Sequence, residues 1–268
     1  MSSFKSRVLV AVIGVPVLVW VVLWAPSIVM MAALALLAGI AAHELMQCVG
    51  LDKTSFLLSW TMISAIFSVE WYYDRPSYIV VWWTIYVVTA FIYAIVKAGE
   101  VKFVQVLAGI FAVMFIPYSF SAFLRLESSG LHRAYLLLPF ILSFACDTFA
   151  YLVGCTIGKH KLAPKVSPKK SVEGSIGGLL GNLLCGLLFA FVMDRWFGGS
   201  IGYGSMAVLA LACGVVAQVG DLSFSLIKRE FGIKDYGHLF LAHGGVLDRF
   251  DSVLFVTPVI EIILSFVK

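Results

Sequence analysis

Charge is scarce in this sequence: Asp, Glu, Lys and Arg make up 13% of its 268 residues, while 61% are hydrophobic. Soluble domains are about 45–50% apolar and about 25% charged, so a water-soluble globule is excluded. Cysteine is sparse too. Cys48, Cys146, Cys155, Cys185 and Cys213 show no C-x-x-C spacing and lie mostly in or beside apolar stretches. That pattern argues against a disulfide framework or a zinc site and reads as packing. There is no long linker, low-complexity tract or evident repeat. The apolar runs are unbroken, whereas barrel strands alternate. With a mean hydropathy of +1.00, the expectation is an all-α polytopic membrane bundle.

A bilayer-spanning helix needs roughly 20 mostly apolar residues, and about nine stretches qualify. They cover 8–24, 28–47, 55–69, 78–96, 103–124, 134–154, 175–193, 203–227 and 252–267. The first has a basic lead, Lys5 and Arg7, but ends in "LWAPS", a poor cleavage sequence. It is therefore expected to be a retained span rather than a signal peptide. Placing the N-terminus inside leaves only Arg75, Arg125, Arg133, Arg195 and Lys268 outside, out of 19 Lys and Arg. That distribution follows the positive-inside rule.

The two halves differ. Residues 1–131 are mostly hydrophobic helix, suited to packing, lipid contact or self-association, with a homodimer left open. Residues 132–268 hold the polar features. Two loops on the expected cytoplasmic side stand out: "GKHKLAPKVSPKKSVEGSIGG" from Gly158, and "KREFGIKDYGHLFLAHGGVLDRFD" from Lys228. Ser167 followed by Pro168 suits a helix N-cap with proline at the first position. Carboxylates also occur within apolar spans: Glu44, Asp147, Asp221 and Glu261. Such charges are expensive in a bilayer and normally face a polar cavity. Asp147 and Asp221 lie about 10 Å below the cytoplasmic ends of their helices at 1.5 Å per residue, and both are expected to face a cavity open to that side.

Asp248 and Asp251 are spaced D-x-x-D, which puts both on one helix face and suits Mg²⁺, an ion that takes one or two carboxylates and fills its shell with water and phosphates. Lys169, Lys170, Lys228, Arg229, Lys234 and Arg249 supply cations for phosphates. The turn at His243, Gly244 and Gly245 leaves backbone N–H groups able to approach an anion. Together these describe a magnesium-dependent phosphate site at a membrane boundary, with a lipid as one substrate. Each element also has a plainer reading. Asp251 could cap the last helix, Asp248 could pair with Arg249 or Lys228, and His243 could be a packed histidine. Lys159, Lys161 and Lys165 fit the positive-inside rule alone. Gly174 with Gly178, and Gly177 with Gly181, fit close helix packing. An ion pair within the bundle would explain Glu44 or Glu261.

The second loop closely resembles the signature of phosphatidate cytidylyltransferases, with Lys228, Arg229, Lys234, Asp235, Gly237, His243, Gly244, Gly245, Asp248, Arg249 and Asp251 in order. The first resembles that family's second block through Asp147, Ser167, Pro168, Lys169, Lys170, Glu173 and Gly174. Two positions depart from it: Ala217, Gln218 and Val219 stand where the signature begins with a serine, and Val172 follows Ser171 where an aromatic follows threonine.

The resemblance implies reaction of CTP with phosphatidic acid, a membrane lipid, to give CDP-diacylglycerol and pyrophosphate, with Mg²⁺ required and no nucleic acid partner. It implies Asp221, Asp248 and Asp251 around the metal, with Asp147 as a fourth carboxylate. Lys169, Lys170, Lys228, Arg229 and Arg249 would hold the triphosphate and lipid phosphate, with Ser167 and Lys234 beside them. His243, Gly244 and Gly245 would shape the nucleotide pocket. A CDP-alcohol phosphotransferase fits less well, because "DRFDS" lacks that family's glycine and second aspartate pair. The rival of another class is a transporter of a phosphorylated solute or a cation, since buried carboxylates also mark ion pathways. Transporters often show inverted repeats, whereas the polar residues here are confined to one half.

Overall fold

A computed structural model describes residues 3–199, 201–237 and 244–267. Among them are nine α-helices: α1 (Ser3–Leu23), α2 (Ser27–Cys48), α3 (Phe56–Asp74), α4 (Pro76–Val96), α5 (Phe103–Ser128), α6 (Leu138–Ile157), α7 (Val172–Phe197), α8 (Tyr203–Glu230) and α9 (Leu247–Val267). Each coincides with one of the stretches expected from the sequence. Seven described helical segments are long and apolar enough to cross a membrane, namely α2, α4, α5, α7, α8, α9 and the segment Arg133–Ile157 that contains α6. The chain is thus an all-α, multi-pass membrane protein.

The described chain divides into two compact units, and neither is continuous in sequence. One comprises residues 1–125 and 230–249; the other comprises 126–229 and 250–268.

In the first unit, Pro26 precedes α2 and Pro76 opens α4, positions where the missing N–H is no loss. The core gathers Met46, Leu57, Leu58, Tyr86, Val106 and Val113. Several polar groups in and around it pair with one another or with backbone. The Tyr86 hydroxyl meets Thr61 Oγ1 at 2.6 Å and stands over Gly109, where a Cβ would come within 2.3 Å of it. Trp60 Nε1 donates to Thr89 at 2.9 Å, and Gln105 Nε2 donates to the Val49 carbonyl at 3.1 Å.

The second unit is built on close helix approach. A Cβ on Gly177 would lie 2.5 Å from Val153, one on Gly181 2.2 Å from Phe149, and one on Gly174 2.7 Å from the Ala150 carbonyl. The glycine spacing in α7 is therefore the surface onto which α6 packs. Asn182 Nδ2 donates to the Ala210 carbonyl at 3.1 Å, joining α7 to α8. Phe224 and Phe255 meet edge to face, joining α8 to α9.

Between α6 and α7 the chain forms a two-stranded antiparallel hairpin, β1 (Lys161–Ala163) and β2 (Ser167–Ser171). This corrects the expectation that Ser167 caps a helix. Ser167 and Pro168 are strand residues, and the N-cap of α7 is Ser171, whose Oγ accepts the Gly174 N–H at 3.1 Å. Pairing with β1 holds Ser167–Ser171 extended, so helix can begin only after Ser171.

Candidate functional site

The hairpin is tied down at three points. At its base, Glu173 in the first turn of α7 accepts the N–H of Lys159 at 3.0 Å, the N–H of His160 at 3.2 Å, and meets His160 Nδ1 at 2.6 Å. Gly158 is wedged here, with no room for a Cβ against Ser171. Near the tip, Arg229 Nε donates to the Val166 carbonyl at 3.4 Å. At the end of β2, Lys170 forms an ion pair with Asp221 of α8. A strand and a helix 51 positions on are thus joined by opposite charges.

Beneath the hairpin lies a pocket of about 510 Å³ whose lining includes Ser167, Lys169, Lys170, Asp147, Asp221 and Gln218. It brings Asp147 and Asp221 to one cavity. Asp221 Oδ1 also accepts the Ser225 hydroxyl at 3.2 Å, one helical turn on. Asp251, in the first turns of α9, lies within electrostatic reach of Asp221, Asp147 and Lys228. A Cβ on Gly220 would meet the Asp251 carbonyl at 2.9 Å, so glycine at 220 lets α8 approach the backbone that bears this carboxylate. Lys228 is buried, whereas Arg229 and Lys169 are exposed. Asp251 Oδ1 accepts its neighbour's N–H, Ser252, at 2.7 Å. It sits inside α9 rather than at its start, so it is not the helix cap.

The caps of α9 are two other carboxylates, both in the first unit. Asp248 Oδ2 accepts the N–H of Gly245 at 2.9 Å and of Tyr236 at 2.7 Å. Gly244 has φ +82°, a left-handed backbone that favours glycine, and the Gly245 N–H turns inward to Asp248. From α2, Glu44 reaches the same helix end: Oε1 accepts the Val246 N–H and Oε2 the Leu247 N–H, each at 2.9 Å. Glu44 is 5% exposed. Its partners are main-chain donors at a helix N-terminus, where the aligned peptide dipoles favour a negative charge, rather than the ion pair the sequence suggested. Gly237 and Gly245 flank it, and a Cβ at either would clash with its carboxylate. Lys234 and Arg249 are exposed in this unit. His243 lies outside the described residues.

A family model described as the cytidylyltransferase family matches residues 5–267. The chain belongs to this family. Among curated relatives, the phosphatidate cytidylyltransferase of Staphylococcus haemolyticus (strain JCSC1435) is 32% identical over 172 residues. Those of Staphylococcus aureus (strain COL) and Staphylococcus saprophyticus are 34% and 33% identical over the same length. Each match covers 64% of this chain and spans 64% of the relative.

Of the residues singled out from the sequence, Asp147, Ser167, Lys169, Lys170, Asp221, Lys228, Arg229 and Asp251 belong to the second unit, and Lys234, Gly244, Gly245, Asp248 and Arg249 to the first. Three residues named from the sequence have roles not assigned to them there. Gln218, noted only as a departure from the signature, accepts the Ser175 hydroxyl and donates Nε2 to the Ser175 carbonyl at 3.1 Å, bracing α8 against α7 at the pocket wall. Glu173 is a clasp, and Glu44 a cap. The available signal for Glu44 and Gln218 was a polar side chain inside an apolar run.

Proposed function

We propose that this chain is a phosphatidate cytidylyltransferase acting at the cytoplasmic face of the cell membrane. The observation that carries the reading is the pocket in which Lys169 and Lys170 from the hairpin meet Asp147 and Asp221 from α6 and α8. A site that joins two polyanions needs cations for phosphate and carboxylates for a metal, at a depth where lipid meets water. The family and the names of the relatives support CTP and phosphatidic acid as the substrates.

The chemistry requires no protein nucleophile. A phosphatidate oxygen attacks the α-phosphorus of CTP and forms the new P–O bond. The bond from the α-phosphorus to the bridging oxygen of the β-phosphate breaks, and pyrophosphate leaves with that electron pair. Lys169, Lys170, Lys228 and Arg229 hold the triphosphate and the lipid phosphate, and preorganised cations of this kind stabilise charge as it develops; Arg249 is given the same role on the family resemblance alone. Ser167 and Lys234 orient phosphate oxygens, while Gly244, Gly245 and His243 shape the nucleotide pocket, roles assigned on the family resemblance.

The donor set fits Mg²⁺. Among the described residues no three His, Cys, Asp or Glu side chains converge as a cage, but a hard cation of this size takes one or two carboxylates and completes its shell with water and phosphate oxygens. Asp221 and Asp251 are the pair, with Asp147 nearby and Asp248 assigned on the resemblance. When bound, the ion neutralises negative charge on the transferring and leaving phosphates.

The test is synthesis of CDP-diacylglycerol and pyrophosphate by detergent-solubilised protein given CTP, phosphatidic acid and Mg²⁺. Asp221→Asn, Asp248→Asn and Asp251→Asn are expected to lower turnover by more than about a hundredfold while the protein remains folded. Folded wild type that makes no product would sink the reading, and solute uptake into vesicles without chemistry would favour a transporter.

A further inference from the structure

The Lys170–Asp221 ion pair has a use beyond fastening the hairpin. Both side chains are about a quarter exposed, at 26% and 23%, and both line the pocket. Lys170 is therefore neither locked in the interior nor free in solvent. Its backbone is fixed by pairing with β1 and by the Ser171 cap immediately after it, which leaves the four-carbon side chain as the moving part. A lysine ammonium is a point charge on a flexible stem and can change partners, whereas arginine's planar fork would lock bidentately onto the carboxylate. The Asp221 carboxylate also lies within electrostatic reach of Asp251, in a group that includes Asp147. Carboxylates gathered in one neighbourhood oppose each other's ionisation unless cations sit among them; Lys228 is one within reach of Asp251, and Lys170 supplies another directly to Asp221.

We propose that Lys170 is an exchangeable counter-ion, occupying Asp221 until a phosphate draws it away and so coupling the arrival of nucleotide to that of the divalent cation. This rests on the reading of the pocket as a nucleotide-phosphate site. A cation arriving alone must displace the ammonium and then bear its repulsion. A cation arriving with a triphosphate meets no such opposition, because the displaced ammonium gains phosphate oxygens as partners. Cation and nucleotide then bind cooperatively, and by linkage each raises the other's affinity by the same factor. The hairpin thereby guards the carboxylates against binding metal in the absence of substrate.

The experiment is calorimetric titration of the purified protein with Mn²⁺ alone, then with CTP in the presence of Mn²⁺, for wild type and Lys170→Gln, Lys170→Met and Lys170→Arg. The two neutral variants are expected to bind Mn²⁺ alone about tenfold more tightly, from loss of a like charge a few ångströms away, and to bind CTP at least tenfold more weakly. Lys170→Arg, whose fork holds the carboxylate more firmly, should bind Mn²⁺ alone no more tightly than wild type. Two neutral variants of different shape guard against one that fails to fold, and Lys170→Arg controls for charge. Unchanged or weaker Mn²⁺ binding in a folded neutral variant overturns the proposal. If no form binds CTP but the neutral variants still bind Mn²⁺ more tightly, the counter-ion role stands and the nucleotide reading fails.

Discussion

Truncating Glu44 to alanine tests how the first turn of α9 is held. The carboxylate is buried, and each oxygen accepts one backbone N–H at 2.9 Å. Val246 and Leu247, the donors, are themselves fully buried. A hydrogen bond to a charged group contributes about 1.5–3 kcal/mol, and an orphaned buried donor costs about 1–3 kcal/mol. The interaction with the helix N-terminus adds about 0.3–1 kcal/mol. Because these contributions overlap, about 3–4 kcal/mol is the expected loss for Glu44→Ala, with water entering the void limiting it. Glu44→Gln keeps one acceptor but turns an NH₂ towards the second donor, and about 2 kcal/mol is expected. Glu44→Asp is one methylene short of two donors fixed on another helix and should resemble the glutamine variant rather than wild type. The assay is hydrogen–deuterium exchange of the Val246 and Leu247 amides in detergent, with thermal unfolding alongside. At about 1.4 kcal/mol per decade, the alanine variant should exchange at these amides at least a hundredfold faster. Protection within threefold of wild type, with an unchanged melting temperature, would refute the capping argument.

Other consequences are equally direct. Glu173→Ala removes the acceptor for Lys159 and His160, so trypsin should cut at Lys161 and Lys165 at least tenfold faster while the helices stay resistant, with Glu173→Gln in between; equal cleavage would show that the hairpin does not depend on this clasp. Gly181→Val drives side-chain atoms into Phe149, whose ring already lies 2.2 Å from the Cβ position. Overpacking of this kind costs about 1–3 kcal/mol, and melting should fall by several degrees; a variant as stable as wild type would mean that α6 and α7 are not held at this spacing.

What the sequence made legible was whatever leaves a local trace. Unbroken apolar runs have one solution in a bilayer, since only a helix satisfies its own backbone there, and the runs coincide with α1 to α9. The glycines of α7 announced a close neighbour by their spacing. The hairpin was hidden because Ser167 with Pro168, and Ser171 with Glu173, are both plausible helix starts, and pairing with Lys161–Ala163 decides between them. Asp147 and Asp221 were readable as cavity-lining because an ionised group in an apolar run needs a polar surround. That Asp221 would choose Lys170 was not, because several lysines were within the loop's reach. Glu44 was opaque for a different reason: its partners are main-chain N–H groups, which every residue except proline possesses, so no residue type marks them.

The span between Glu44 and its partners also sets a timetable. Glu44 and Val246 are 202 positions apart, and the first unit reaches Arg249 only after nearly all of the second unit's helices. At about 5–20 residues per second of synthesis, α2 is made roughly ten to forty seconds before the donors that satisfy its carboxylate. For that interval the nascent chain carries a glutamate with nothing to cap, and a solvated or protonated side chain must serve until α9 is delivered. The first unit can therefore close on its own carboxylate only after α6, α7 and α8 of the second have been made.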